Sequence, residues 1–127
     1  MKKQEYLFDL HEDHIEWLKA LAFYEDELQI LKNRLGEVSF KNTDQAIKMQ
    51  VEKFQNQFLI QKNEIDYLKH FINQDEKTIS DEIISNPTAS DHRKTDDNEE
   101  LRDRYETFIT LFSNLKEEFN DFAGKNL

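Results

Sequence analysis

The sequence predicts an all-α fold, an elongated antiparallel up-down-up three-helix bundle with coiled-coil-like packing. Three observations lead there. Apolar residues return at alternating spacings of three and four along three long stretches, the pattern of a helix stripe facing partner helices. Two glycines and one proline in 127 residues leave few positions where a helix must stop. The hydrophobic fraction of 37% against a charged fraction of 35% suits a narrow bundle with wet outer faces.

The first helix is expected over about 4–38. Its stripe is Leu7, Leu10, His14, Trp17, Leu21, Tyr24, Leu28, Leu31, Leu35 and Val38, apolar or aromatic except at His14. Gly36 is its one weak point. Ser39 to Thr43 reads as a short connection, with Asn42 or Thr43 capping the next helix by accepting a bond from a free backbone N–H. A short connection makes the two helices antiparallel neighbours.

The second helix is expected over about 43–85, with the stripe Ile47, Val51, Phe54, Phe58, Gln61, Ile65, Leu68, Ile72, Asp75, Ile79 and then Glu82 or Ile83. Gln61 and Asp75 interrupt it. Pro87 should end it, because the residue before a proline is pushed out of helical geometry. The polar stretch 85–98 reads as a connection, in which Ser90 or Thr95 starts the third helix and the acidic run from Asp96 to Glu100 suits a helix N-terminus.

The third helix, over about 91–123, carries the cleanest stripe: Leu101, Tyr105, Phe108, Phe112, Leu115, Phe119 and Phe122. Gly124 follows and suits a helix end. The three segments share no repeat beyond their spacing. Residues 1–127 are therefore read as a single domain.

Composition narrows the function. A net charge of −10 argues against nucleic acid and against anionic membrane surfaces, both of which are bound through Lys and Arg. No stretch approaches the roughly 20 apolar residues of a membrane-crossing helix. The chain has no cysteine, which excludes disulfides and thiolate metal sites and is compatible with a reducing, cytoplasmic location. With no cysteine, no Gly-x-Ser-x-Gly elbow and no glycine-rich phosphate loop, an enzyme is not expected, and no cofactor is implied.

The buried polar positions are the sharpest chemical lead. If the first turn is centred at 40–42, residues whose numbers add to about 82 lie side by side on the first two helices. His14 then falls beside Leu68 and Gln61 beside Leu21, while Tyr105 comes to the height of His14. The expected buried polar set is His14, Gln61 and Tyr105, with a hydrogen bond from His14 to Tyr105 fixing register. A metal site is the alternative, with His11 and His14 as nitrogen ligands and Asp75, Glu106 or Asp103 as oxygen ligands. Against it, no Glu-x-x-His unit lies on a stripe as carboxylate-bridged metal bundles require.

The first helix also carries more apolar surface than one stripe uses. Phe8, Ile15 and Ala22 share one heptad position, with His11 and Leu18 between them and the core. Phe23, Ile30, Leu59, Ile60, Phe71, Ile109 and Leu111 also lie off the main stripes. The five residues Phe8, His11, Ile15, Leu18 and Ala22 are therefore the expected interface, for a second copy about a two-fold axis or for a protein partner. The function expected from the sequence is a non-enzymatic, acidic protein–protein interaction or self-assembly module. A metal- or small-ligand-binding bundle is the alternative.

Overall fold

The computed structural model describes residues 2–85 and 92–127, with side chains described over 7–82 and 99–127. It is all-α, a bundle of three helices: α1 (Lys2–Lys41), α2 (Gln45–Ser85) and α3 (His92–Asn126). Among the described residues, no helix is long and apolar enough to cross a membrane. The expected stop at Pro87, the Ser90 cap and the side chain of Ile83 lie outside the described residues. Thr95 does not start the third helix, because α3 already includes His92 and Thr95 lies within it.

The stripes form the core. Leu21, Phe58, Ile65, Leu68, Ile72 and Phe119 are fully buried, and Leu28, Phe108 and Phe112 nearly so. Phe119 meets Phe58 edge-on at 5.2 Å and Phe54 at 5.3 Å, an arrangement that sets the positive edge of one ring against the face of another. Polar pairs fix the direction of packing. Asp13 pairs with Arg102 and Glu27 with Lys116, a constant offset of 89 in residue number, so α1 and α3 run parallel. Between α1 and α2 the numbers of His11 and Glu76, and of Glu25 and Lys62, add to the same value, 87, so that pair is antiparallel.

That register differs from the expected sum of about 82, and the turn explains it. Nothing in Ser39 or Phe40 forbids helix, so α1 runs on to Lys41 and only residues 42–44 connect it to α2. The cap of α2 is Asp44 rather than Asn42 or Thr43: its Oδ1 accepts from Ala46 N at 2.8 Å. Asn42 instead ties helix ends together, its Nδ2 donating to Val38 O and to Asn126 O at 2.8 and 2.9 Å. Gly124 does not end α3. It keeps a negative φ and the helix continues to Asn126.

Candidate functional site

The polar positions converge on one carboxylate. The first half of α1 places His11 and His14 three residues apart, so both rings lean toward α2. There Glu76 meets them with one oxygen each: His11 Nδ1 lies 2.5 Å from Oε2 and His14 Nδ1 lies 2.9 Å from Oε1. A carboxylate only accepts, so each ring presents Nδ1–H to it. The three groups differ in exposure. The His14 side chain is fully buried, Glu76 is 20% exposed and His11 is 43% exposed. The site thus grades from core to solvent across a single carboxylate.

An aromatic stack continues the site toward α3. The His14 ring lies 5.4 Å from Trp17, which stacks on Tyr105 at 5.2 Å with 26° between the planes. Arg102 stands 5.8 Å from the Trp17 ring and donates from Nη2 to Asp13 Oδ2 at 2.6 Å. Burial is the largest reason that the Tyr105 hydroxyl is held above its ordinary pKa of 10.0, with Tyr24 and Glu16 pushing the same way. His14 and Tyr105 do come to the same height, as expected. They do not hydrogen-bond, because Trp17 fills the space between them.

The expected metal set is not brought together. Asp75 lies one residue from Glu76, about 100° round the helix. It lines a cleft on the α3 side of α2, with Tyr67, Phe71 and Arg104, rather than facing α1. Glu106 is exposed, as is Asp103, and both line a shallow cleft on the outer side of α3 beside Thr107 and Thr110. Among the described residues, no group of three or more His, Asp or Glu side chains is arranged to hold a metal ion. The two imidazoles instead clasp Glu76 and join α1 to α2.

The remaining expected positions divide. Gln61 is buried as expected, and its Oε1 finds no hydrogen-bond partner. Leu18 packs partly buried against the core, so it contributes less to the outer face than expected. Phe8 at 51% and Ile15 at 39% remain exposed, as does Ala22. A further polar cluster escaped the sequence reading. Lys62 and Lys69 both donate to Glu25, at 2.8 and 2.5 Å. Those bonds hold the Glu25 carboxyl below the usual carboxylate range, Lys62 contributing first.

The chain matches no protein-family model, no curated protein and no solved structure.

Proposed function

We propose that this chain is a non-enzymatic interaction module whose contact surface is the outer face of α1. The observation that carries the reading is a line of exposed apolar side chains opposite the core: Phe8 and Ile15, continued by Phe23 at 58% and Ile30 at 62% exposure. At about 100° per residue the four stay within roughly 80° of arc, so they form one stripe rather than scattered exposure. Water-facing phenylalanines and isoleucines in such a row gain free energy when another surface covers them.

Charge indicates the kind of partner. Asp13, Glu25 and Glu27 are already paired within the bundle, while Asp9, Glu12, Glu16 and Asp26 are exposed beside the stripe against two exposed bases, Lys19 and Arg34. An apolar face edged by carboxylates suits a protein segment that alternates apolar and basic residues. The His11–Glu76–His14 clasp supports a structural role for the histidines in this reading, because both rings are turned onto a neighbouring helix.

The test is capture from the native source with wild-type chain and with an Ile15→Asp/Phe23→Asp variant of unchanged helix content. Partners held by the wild type and lost by the variant are expected. Identical capture by both would overturn the outer-face assignment.

A further inference from the structure

A second unpartnered feature lies toward the C-terminal end of α1, where α1 and α2 approach their turn. A cleft of about 570 Å³ opens between them. Leu35 and Phe58, both buried, lie at its base, and Val51, Leu59 and Gly36 line it further out. Gly36 is not required by the backbone: it sits inside a helix with negative φ, and a Cβ there would meet nothing within 4 Å. A glycine in such a position costs about 0.5–1 kcal/mol relative to alanine. Its effect is to leave the wall of the cleft open.

One turn further along α1, on the same side, stands Phe40. It is 92% exposed, the most exposed large apolar side chain among the described residues. A knob and an empty hole therefore stand about 6 Å apart along one helix. A two-fold axis between them brings each knob to the other copy's hole, the reciprocity that an isologous contact demands. The cleft is several times the volume of a phenyl ring.

Charge also favours a second copy at this end. Residues 32–59 carry five basic side chains (Lys32, Arg34, Lys41, Lys48, Lys53) against three acidic ones (Glu37, Asp44, Glu52), a net of +2 in a chain of net −10. The rest of the chain therefore carries −12. Two copies meeting through their turn ends avoid setting acid against acid, whereas two outer faces of α1 would not.

We infer that the protein self-associates through its α1/α2 turn end, with Phe40 of each copy seated in the cleft beside Gly36 of the other. The inference rests on the interaction-module reading and adds a second region with a stated partner, a second copy of this chain. The region continues along α1 from the outer face, about 15 Å beyond Ile30 over ten residues, so variants at Phe40 or Gly36 and variants at Phe23 tell the two failures apart.

Light scattering and sedimentation of the full chain from micromolar to hundreds of micromolar should show a monomer–dimer equilibrium. Phe40→Ala should weaken it by about tenfold or more, as truncation of a central aromatic anchor does. Gly36→Leu should weaken it similarly by filling the cleft, while helix content and thermal midpoint hold or rise, which separates blocking from unfolding. Because the chain has no cysteine, a position-specific check is clean. At hundreds of micromolar, where the mixed dimer keeps one Phe40 knob, a Phe40→Cys chain mixed with a Leu59→Cys chain and oxidised glutathione as the oxidant should form an inter-copy disulfide, and a Phe23→Cys chain mixed with Leu59→Cys should not. A monomer at every concentration, or a dimer indifferent to both Phe40→Ala and Gly36→Leu, overturns the inference. A dimer lost in Phe23→Asp yet kept in Phe40→Ala also overturns it, and moves self-association to the outer face.

Discussion

Glu76 Oε1 lies 2.9 Å from His14 Nδ1, a polar contact made in the core by a ring with no exposed surface. Its other oxygen lies 2.5 Å from the half-exposed His11. Two equivalent-looking bonds therefore have unequal consequences, because water can replace the carboxylate at His11 but does not reach the buried His14 ring.

Glu76→Ala should destabilise the fold by about 1–3 kcal/mol, the cost of leaving a buried donor without its acceptor. His11→Ala should cost no more than about 0.5 kcal/mol, in the range of ordinary surface changes. Urea unfolding followed by circular dichroism measures both. Equal losses in the two variants would contradict the unequal burial.

Gln61 is buried among apolar neighbours with its Oε1 unpaired. Gln61→Leu removes that unsatisfied oxygen and restores an apolar stripe, so it should stabilise the fold by about 1 kcal/mol. A thermal midpoint that rises by several degrees is the expected reading. A fall would mean that the amide is satisfied in solution.

Phe58 and Phe119 are fully buried and meet edge-to-face at 5.2 Å. Each Phe→Ala variant should cost about 3–5 kcal/mol through lost burial and the cavity left behind. A double-mutant cycle with Phe→Leu at both positions should return a coupling of about 0.5–1.5 kcal/mol for the ring pair.

The ion pairs make stability depend on pH at both extremes. Glu25 is held below 4.5 by Lys62 and then Lys69, so its contribution is present above 4.5 and is lost as pH falls through its lower folded-state value. Lys62 is raised above 10.5, by Asp66 first and Glu25 second, so its contribution is present below 10.5 and is lost as pH rises past it. Tyr105, raised by burial, acts in the same alkaline direction from 10.0 upward, because the unfolded chain ionises first. Glu25→Gln should flatten the acid limb of a stability–pH curve, and Tyr105→Phe should flatten part of the alkaline limb.

Most of the core was legible because three-and-four spacing is a direct statement about which side of a helix faces its neighbours. The expected stripe positions of α3 from Leu101 to Phe119 are all buried, and those of α1 from Leu7 to Val38 are buried except half-buried Tyr24. Register was less legible, since it hangs on where the turn falls, and Ser39–Phe40 carries no stop signal. The site inherited that error. Spacing also left a choice that it could not resolve: Ile72, Asp75, Ile79 and Ile72, Glu76, Ile79 both obey the rule. Glu76, four after one buried isoleucine and three before another, was thus available as a position facing α1. The acceptors of Lys62 and Lys69 were not, because pairing on flanking positions depends on register as well as face.

The Asp13–Arg102 pair is exposed and the Glu27–Lys116 pair is partly open to water through its 41%-exposed lysine, and pairs in contact with water are worth about 0–1 kcal/mol. Their separation gives them another role. On both α1 and α3 they lie fourteen residues apart, two full periods of the apolar pattern. An apolar stripe alone accepts a slide of α3 along α1 by seven residues, since the same side still faces inward. Such a slide sets Asp13 opposite Ile109 and Glu27 opposite Ala123, and the opposite slide brings Glu27 to Ile109. The two weak pairs therefore act as an alignment key, distinguishing one of several apolar alignments that the core by itself would accept.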